Sequence, residues 1–222
     1  MTSLLGQAHE LLLERYGRQE GPPAWPPLEA IVASVLRPDS SWAKAAAALD
    51  NLREAGLLAV QSLRDAPVDE LAELIQPAGH ARTKAGRLRN LMGFLIERYG
   101  GSPEAMFAAG LETLRDELLA INGIGPETAD SILLYAGNQP KFVADLHAHR
   151  VLKRHGWIEF EADYHALQEH VESSLPREAA LLSELRWLFG RVGREHCRNI
   201  PLCSGCPLAD MLPAGGPCEF DG

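Results

Sequence analysis

The chain has 222 residues, 46% hydrophobic and 23% charged, enough for one large or two small globular cores. Its net charge of −9 lacks the overall basic field usual in nucleic-acid binders. No apolar run reaches the roughly 18 residues of a membrane span, and residues 1–15 carry no basic-then-apolar leader, so a cytoplasmic protein is expected.

Aromatics are sparse and Ala and Leu dominate, which favours helices over strands. Residues 4–16 read as an amphipathic helix. Gly21, Pro22, Pro23, Pro26 and Pro27 read as an extended linker. An apolar helix follows at 28–36. Asp39, Ser40 and Ser41 offer capping oxygens to the next helix, 42–54, which Gly56 stops. Helical spacing continues over 68–75, 81–99, 102–109, 111–120, 128–135, 147–155, 164–174 and 177–189. No period-two alternation is sustained and no solenoid repeat occurs, so the fold class is all-α with short connections.

Arg82, Lys84, Arg87 and Arg89, with His80, form one local basic set. Arg150, Lys153, Arg154, Arg191 and Arg194 form a second. Each residue alone reads as part of a solvated helix face, yet the N-terminal part of the first set is able to face a phosphate.

Residues 119–134, LAINGIGPETADSILL, are the most informative stretch. A helix ends near Ala120, Gly123 and Gly125 permit a tight hairpin through torsions that other residues resist, and Pro126 suits the first turn of the next helix. Ile121 and Ile124 are placed to anchor the hairpin in a core. Such a turn exposes backbone N–H groups that bind a phosphate without net basic charge.

All four cysteines, Cys197, Cys203, Cys206 and Cys218, lie in a Pro- and Gly-rich tail with spacing C-x5-C-x2-C-x11-C. In a cytoplasmic chain this pattern reads as a metal site. Zinc and an iron–sulfur cluster both suit four thiolates, and spacing alone does not separate them. The tail looks too irregular to hold itself together without a metal.

Residues 121–132, followed by VADLHAHR at 143–150, resemble the helix-hairpin-helix DNA glycosylase superfamily. GREHC at 193–197 and CSGCPL at 203–208 resemble the iron–sulfur loop of its endonuclease III branch. The likeness runs from about residue 28 to Cys218. LLY at 133–135, PAGHARTKA at 77–85 and SSW at 40–42 resemble a subgroup that contains 3-methyladenine glycosylases.

This resemblance implies two helical domains. A six-helix barrel spans 28–139, with the helix-hairpin-helix at about 112–136. A cluster domain is made of 1–27 and 140–222, with its four-cysteine loop at 197–218, and the active site lies in the groove between the two. It also implies a monomeric base-excision-repair glycosylase acting on damaged DNA, nucleoid-associated when bound. A [4Fe-4S] cluster sits on Cys197, Cys203, Cys206 and Cys218. Asp145 is the catalytic carboxylate, although by itself it reads as a helix N-cap. Gly123, Ile124, Gly125, His80, Lys84, His147 and Arg150 contact DNA.

Bifunctional members carry a lysine at position 127, whose amine forms a Schiff base and leads to strand cleavage. This chain has Glu127, which cannot, so a monofunctional enzyme releasing an alkylated purine or an oxidised pyrimidine is expected. A bifunctional glycosylase and AP lyase, a catalytically weak damaged-DNA-binding protein and a zinc-stabilised interaction module are the alternatives. The chain departs from the family at Arg37, Pro38 and Asp39, where a Gln-containing loop is usual, and at His80, where an apolar or aromatic wedge is usual. It departs again in the first and last cysteine gaps, which are five and eleven residues against about six and five.

Overall fold

The structure is a computed structural model that describes residues 3–18, 21–22 and 24–219. In chain order the helices are α1 (Leu4–Tyr16), α2 (Pro27–Leu36), α3 (Trp42–Glu54), α4 (Val60–Asp65), α5 (Val68–Leu74) and α6 (Ala81–Tyr99). Then come α7 (Pro103–Phe107), α8 (Leu111–Leu119), α9 (Pro126–Ser131), α10 (Leu146–Arg154), α11 (Tyr164–Ser174) and α12 (Ala179–Glu195). A π-helical turn, Ile132–Ala136, extends α9. Single 3-10 turns occur at Gln76–Ala78 and Ala209–Met211. The fold is all-α: among the described residues no strand occurs, and no helix is long and apolar enough to cross a membrane.

Two compact units emerge. One combines Met1–Gly21 with Pro140–Gly222, and the other is Pro22–Gln139. The first boundary precedes Pro22 instead of falling at Leu28, because Trp25 and Leu28 both pack on the core of the second unit. Pro27, read as linker, is the first residue of α2, where its missing N–H costs nothing and its fixed φ already suits a helix.

The core of the second unit is built around α2. Ala30 to Leu36 are all buried, the pattern of a helix covered on every side. The same core holds Leu49 and Leu52 of α3, Leu88, Leu91 and Leu95 of α6, Leu114 and Leu118 of α8, and Ile132 and Leu133 of the π turn. Helix α4 escapes the sequence reading because six residues are too few to display a period.

In the first unit, Leu5, Ala8 and Leu12 give α1 a single apolar stripe. It joins Val151 and Leu152 of α10, Leu167 and Val171 of α11, and Leu182, Leu185, Leu188, Phe189 and Val192 of α12. Helix α12 runs on to Glu195 instead of ending at Phe189. Its Gly193 is no breaker but a contact point. A Cβ there would stand 2.5 Å from Nδ1 of His147, so the absent side chain lets α10 approach α12.

Candidate functional site

The hairpin between α8 and α9 is held from both sides. Its helices are clamped by a buried ion pair, with Arg115 Nε donating to Asp130 Oδ1 at 2.7 Å. Ile124 is 5% exposed and lies in the core, with Ile121 packed beside it. Gly123 has φ +91, a left-handed torsion that glycine alone adopts without strain. Gly125 differs from expectation. Its φ is −95, open to any residue, and a Cβ there would meet nothing within 4 Å. Ile124 gives its N–H to the carbonyl of Ile121, so neither its side chain nor its amide faces outward. The N–H groups of Gly123 and Gly125 have no backbone acceptor among the described residues, and both glycines are exposed. Buried or not, such donors require water or a ligand.

Two loops of the same unit carry non-glycine residues in the left-handed region: Asp39 at φ 56 and His80 at φ 47. Such torsions cost on the order of 1–3 kcal/mol and cluster at ligand sites. Lys84 ties the loops together. Its Nζ donates to the carbonyls of Leu36 at 2.8 Å, Pro38 at 2.7 Å and Ala78 at 2.8 Å, and the residue is 1% exposed. Burial pushes its pKa below the usual lysine range. Asp39 opposes the shift, and Arg87 and Arg37 reinforce it. Lys84, expected at the DNA surface, is therefore an internal pin whose three N–H bonds are all committed. His80 is exposed at the start of α6.

Sequence reasoning missed an aromatic wall in this unit. The Trp25 and Trp42 rings lie 5.7 Å apart, and Tyr135 meets Trp42 edge-on at 5.2 Å. All three are partly exposed. Trp25 hides in the proline-rich segment, and Tyr135 reaches the wall from the π turn. Trp42 and Tyr135 stand in the SSW and LLY stretches, and Trp25 was signalled only as an aromatic residue inside a breaker-rich stretch.

In the first unit, Asp145 caps α10: its Oδ1 accepts from the Ala148 N–H at 3.0 Å. Its Oδ2 lies 3.1 Å from a guanidinium nitrogen of Arg186, a partner no sequence pattern announced. Both residues are buried. His147 is partly buried on Gly193, and its pKa is depressed, chiefly by burial and further by Arg194, Arg150 and Arg186, against Asp145.

Two members of the second basic set, Arg150 and Arg154, turn inward, toward the cysteine tail, whereas Arg191 and Arg194 are exposed. Arg150 donates to the Cys197 carbonyl at 3.1 Å. Arg154 donates to Cys197 Sγ at 3.4 Å and to the carbonyls of Arg198 and Asn199, while its own carbonyl accepts from the Cys218 N–H. Lys153 lies over the Phe160 ring, and Arg191 pairs with Glu195. Protein contacts thus tie the tail to α10. Cys197, Cys203 and Cys206 line one small apolar cavity with Val151, Val192 and Leu202. Burial pushes the Cys197 and Cys206 thiols up, and the Arg154 hydrogen bond opposes this at Cys197. Among the described residues no three His, Cys, Asp or Glu side chains converge as the ligands of a single ion do.

Residues 32–177 match the family described as HhH-GPD superfamily base excision DNA repair protein. A Methanocaldococcus jannaschii protein provisionally named a DNA repair glycosylase is 37% identical over 210 residues, 94% of this chain and 95% of that one. A solved non-covalent endonuclease III–DNA complex superposes with a TM-score of 0.78 at 25% identity, across 94% of each chain. Helicobacter pylori 3-methyladenine DNA glycosylase bound to 1,N6-ethenoadenine gives a TM-score of 0.72 at 26% identity, covering 85% of this chain and 95% of that one.

Proposed function

Since the chain belongs to the HhH-GPD superfamily of base excision DNA repair proteins, and is a DNA N-glycosylase of the endonuclease III type, we propose that it is monofunctional: it releases a damaged base and leaves the strand intact. The observation that carries this reading is where its amines are. Position 127 holds a glutamate in the first turn of α9. The chain has four lysines. Lys84 is committed to three carbonyls, Lys141 pairs with Glu172, Lys153 is buried over Phe160, and Lys44 is exposed on α3. None supports a Schiff base at the hairpin.

Asp145 is the proposed catalytic group. Breaking an N-glycosidic bond builds positive charge on the sugar, which a fixed carboxylate stabilises while it orients the attacking water. The Ala148 N–H and Arg186 hold that carboxylate in one orientation. Gly123 and Gly125 offer amides to a phosphate. The substrate class proposed is an alkylated purine, which often carries positive charge. The wall of Trp25, Trp42 and Tyr135 suits a flat cation through ring stacking and cation–π attraction. The likeness to the H. pylori 3-methyladenine enzyme supports the same class.

A [4Fe-4S] cluster on Cys197, Cys203, Cys206 and Cys218 belongs to the same proposal. Three of the thiols already line one apolar cavity, and Arg154 touches Cys197 and receives the Cys218 amide. Thiolates of a cluster each bind their own iron and need not converge on one point. When bound, the cluster supplies a covalent staple for the tail, and about four iron atoms per purified chain are expected.

The test of activity is strand cleavage of a duplex bearing alkylated purines or oxidised pyrimidines, before and after hot alkali. Cleavage of the alkylated duplex only after alkali is expected, and Asp145→Asn, which keeps the helix cap, is expected to slow it at least about a hundredfold. Direct cleavage without alkali would overturn the monofunctional reading. Release of oxidised pyrimidines alone would overturn the substrate class.

A further inference from the structure

Helix α6 meets the hairpin along one face. Lys84, Arg87 and Asn90 recur at intervals of three, so they share that face. Lys84 pins the two strained loops. Asn90 Nδ2 donates to the Asn122 carbonyl at 3.0 Å, gripping the hairpin one residue before Gly123. Arg87 lies between them. A Cβ on Gly123 would stand 2.8 Å from Arg87 Cγ and 3.4 Å from its Nε, so the arginine stem occupies the space that a side chain would fill.

The guanidinium of Arg87 has no hydrogen-bond or ion-pair partner among the described residues, and its Nε is buried without an acceptor. Arg87 is half-buried: its Nε is enclosed without an acceptor, which is costly, while the rest of the residue reaches the surface. Arg87, Arg37 and Lys84 bring three cations to this edge of the unit beside one carboxylate, Asp39, although the chain carries −9 overall. The Gly123 and Gly125 amides beside it also have no backbone acceptor among the described residues. Three donor groups without a backbone acceptor among the described residues therefore stand together.

We propose that Arg87 is a DNA-backbone ligand: its guanidinium takes a phosphate oxygen at the hairpin, completing the site begun by the Gly123 and Gly125 amides. The planar fork of arginine matches phosphate geometry, and its charge supplies what the hairpin amides lack. Gly123 is then required twice, for its torsion and because it leaves room for the Arg87 stem. The inference rests on the DNA-binding reading above but not on turnover.

The test is the salt dependence of duplex binding, measured by fluorescence anisotropy on an undamaged duplex and on one with an abasic site. Losing one phosphate contact flattens the slope of log K against log salt by about 0.9. Arg87→Gln is expected to show that loss on both duplexes, with the melting temperature of the wild type. Arg87→Lys keeps the charge and is expected to keep most of the slope. An unchanged slope in Arg87→Gln, with wild-type binding intact, overturns the role of Arg87 alone. A wild-type protein that does not bind duplex at low salt overturns this inference and the DNA reading together. If Arg87→Gln melts early, Arg87→Lys decides: a retained slope supports a charge contact, and a lost one refutes it.

Discussion

Lys84 shows how a residue that looks like a DNA contact becomes a structural one. Its ammonium carries three donors, and three carbonyls from two separate loops accept them. The left-handed torsions of Asp39 and His80 lie within two residues of those carbonyls. The pin therefore holds both loops in conformations that the chain alone disfavours. Lys84→Met fills the space but leaves three acceptors with no donor. A loss of about 2–4 kcal/mol is expected, read as a lower urea midpoint, together with faster hydrogen exchange at 37–41 and 78–82. Unchanged exchange in those loops would mean that they hold their shape without the pin. Arg186 makes the matching point in the other unit. Asp145 read from sequence is a cap or a catalyst, and the structure gives it a cap's hydrogen bond and a buried cation as well.

At the scale of elements, the end of α9 is the least ordinary feature. The helix widens into a π turn, with the Gly137 N–H reaching back to the Ile132 carbonyl at 3.1 Å. Such turns recur at functional sites because they rotate a side chain off the regular helical face. Here the turn carries Tyr135 to Trp42. Gly137 makes this possible through space and not torsion, since a Cβ would stand 2.6 Å from the Phe107 ring and 2.9 Å from the Leu133 carbonyl. Gly137→Ala is expected to destabilise by about 1–3 kcal/mol and to slow release of an alkylated purine as Tyr135 shifts. Should thermal melting and excision both match the wild type, Phe107 swings aside freely and the glycine is incidental.

For the whole molecule, protons separate the two units. In the unit formed by Met1–Gly21 and Pro140–Gly222, burial depresses the pKa values of His147, His149 and His170. The unfolded chain takes up protons at these imidazoles near pH 6.5, whereas the folded unit does so only at lower pH. Between those values the unfolded state binds more protons, so stability falls as pH drops from about 6.5 through the folded pKa values. Hydrogen exchange compared at about pH 7.5 and about pH 5.5 should show this unit losing protection first. Equal loss in both units, or a gain, would count against these histidines as its acid-sensitive groups.

Much of the molecule was legible in the sequence for a simple reason. Helix periodicity, caps and glycine torsions act over a few residues, so the long helices, Ser41 and Asp145 as caps, and the hairpin turn at Gly123 are local consequences of the chain. The family resemblance rested on the same local motifs. Tertiary structure decided what local pattern cannot encode: which charges turn inward. Arg150, Arg154 and Lys84 carry the same charge in sequence as Arg87, yet the first two fasten the cysteine tail and Lys84 pins two loops. Arg87 has no such partner. Whether a cation finds an internal acceptor depends on carbonyls brought near from distant parts of the chain, and only the packed fold brings them there.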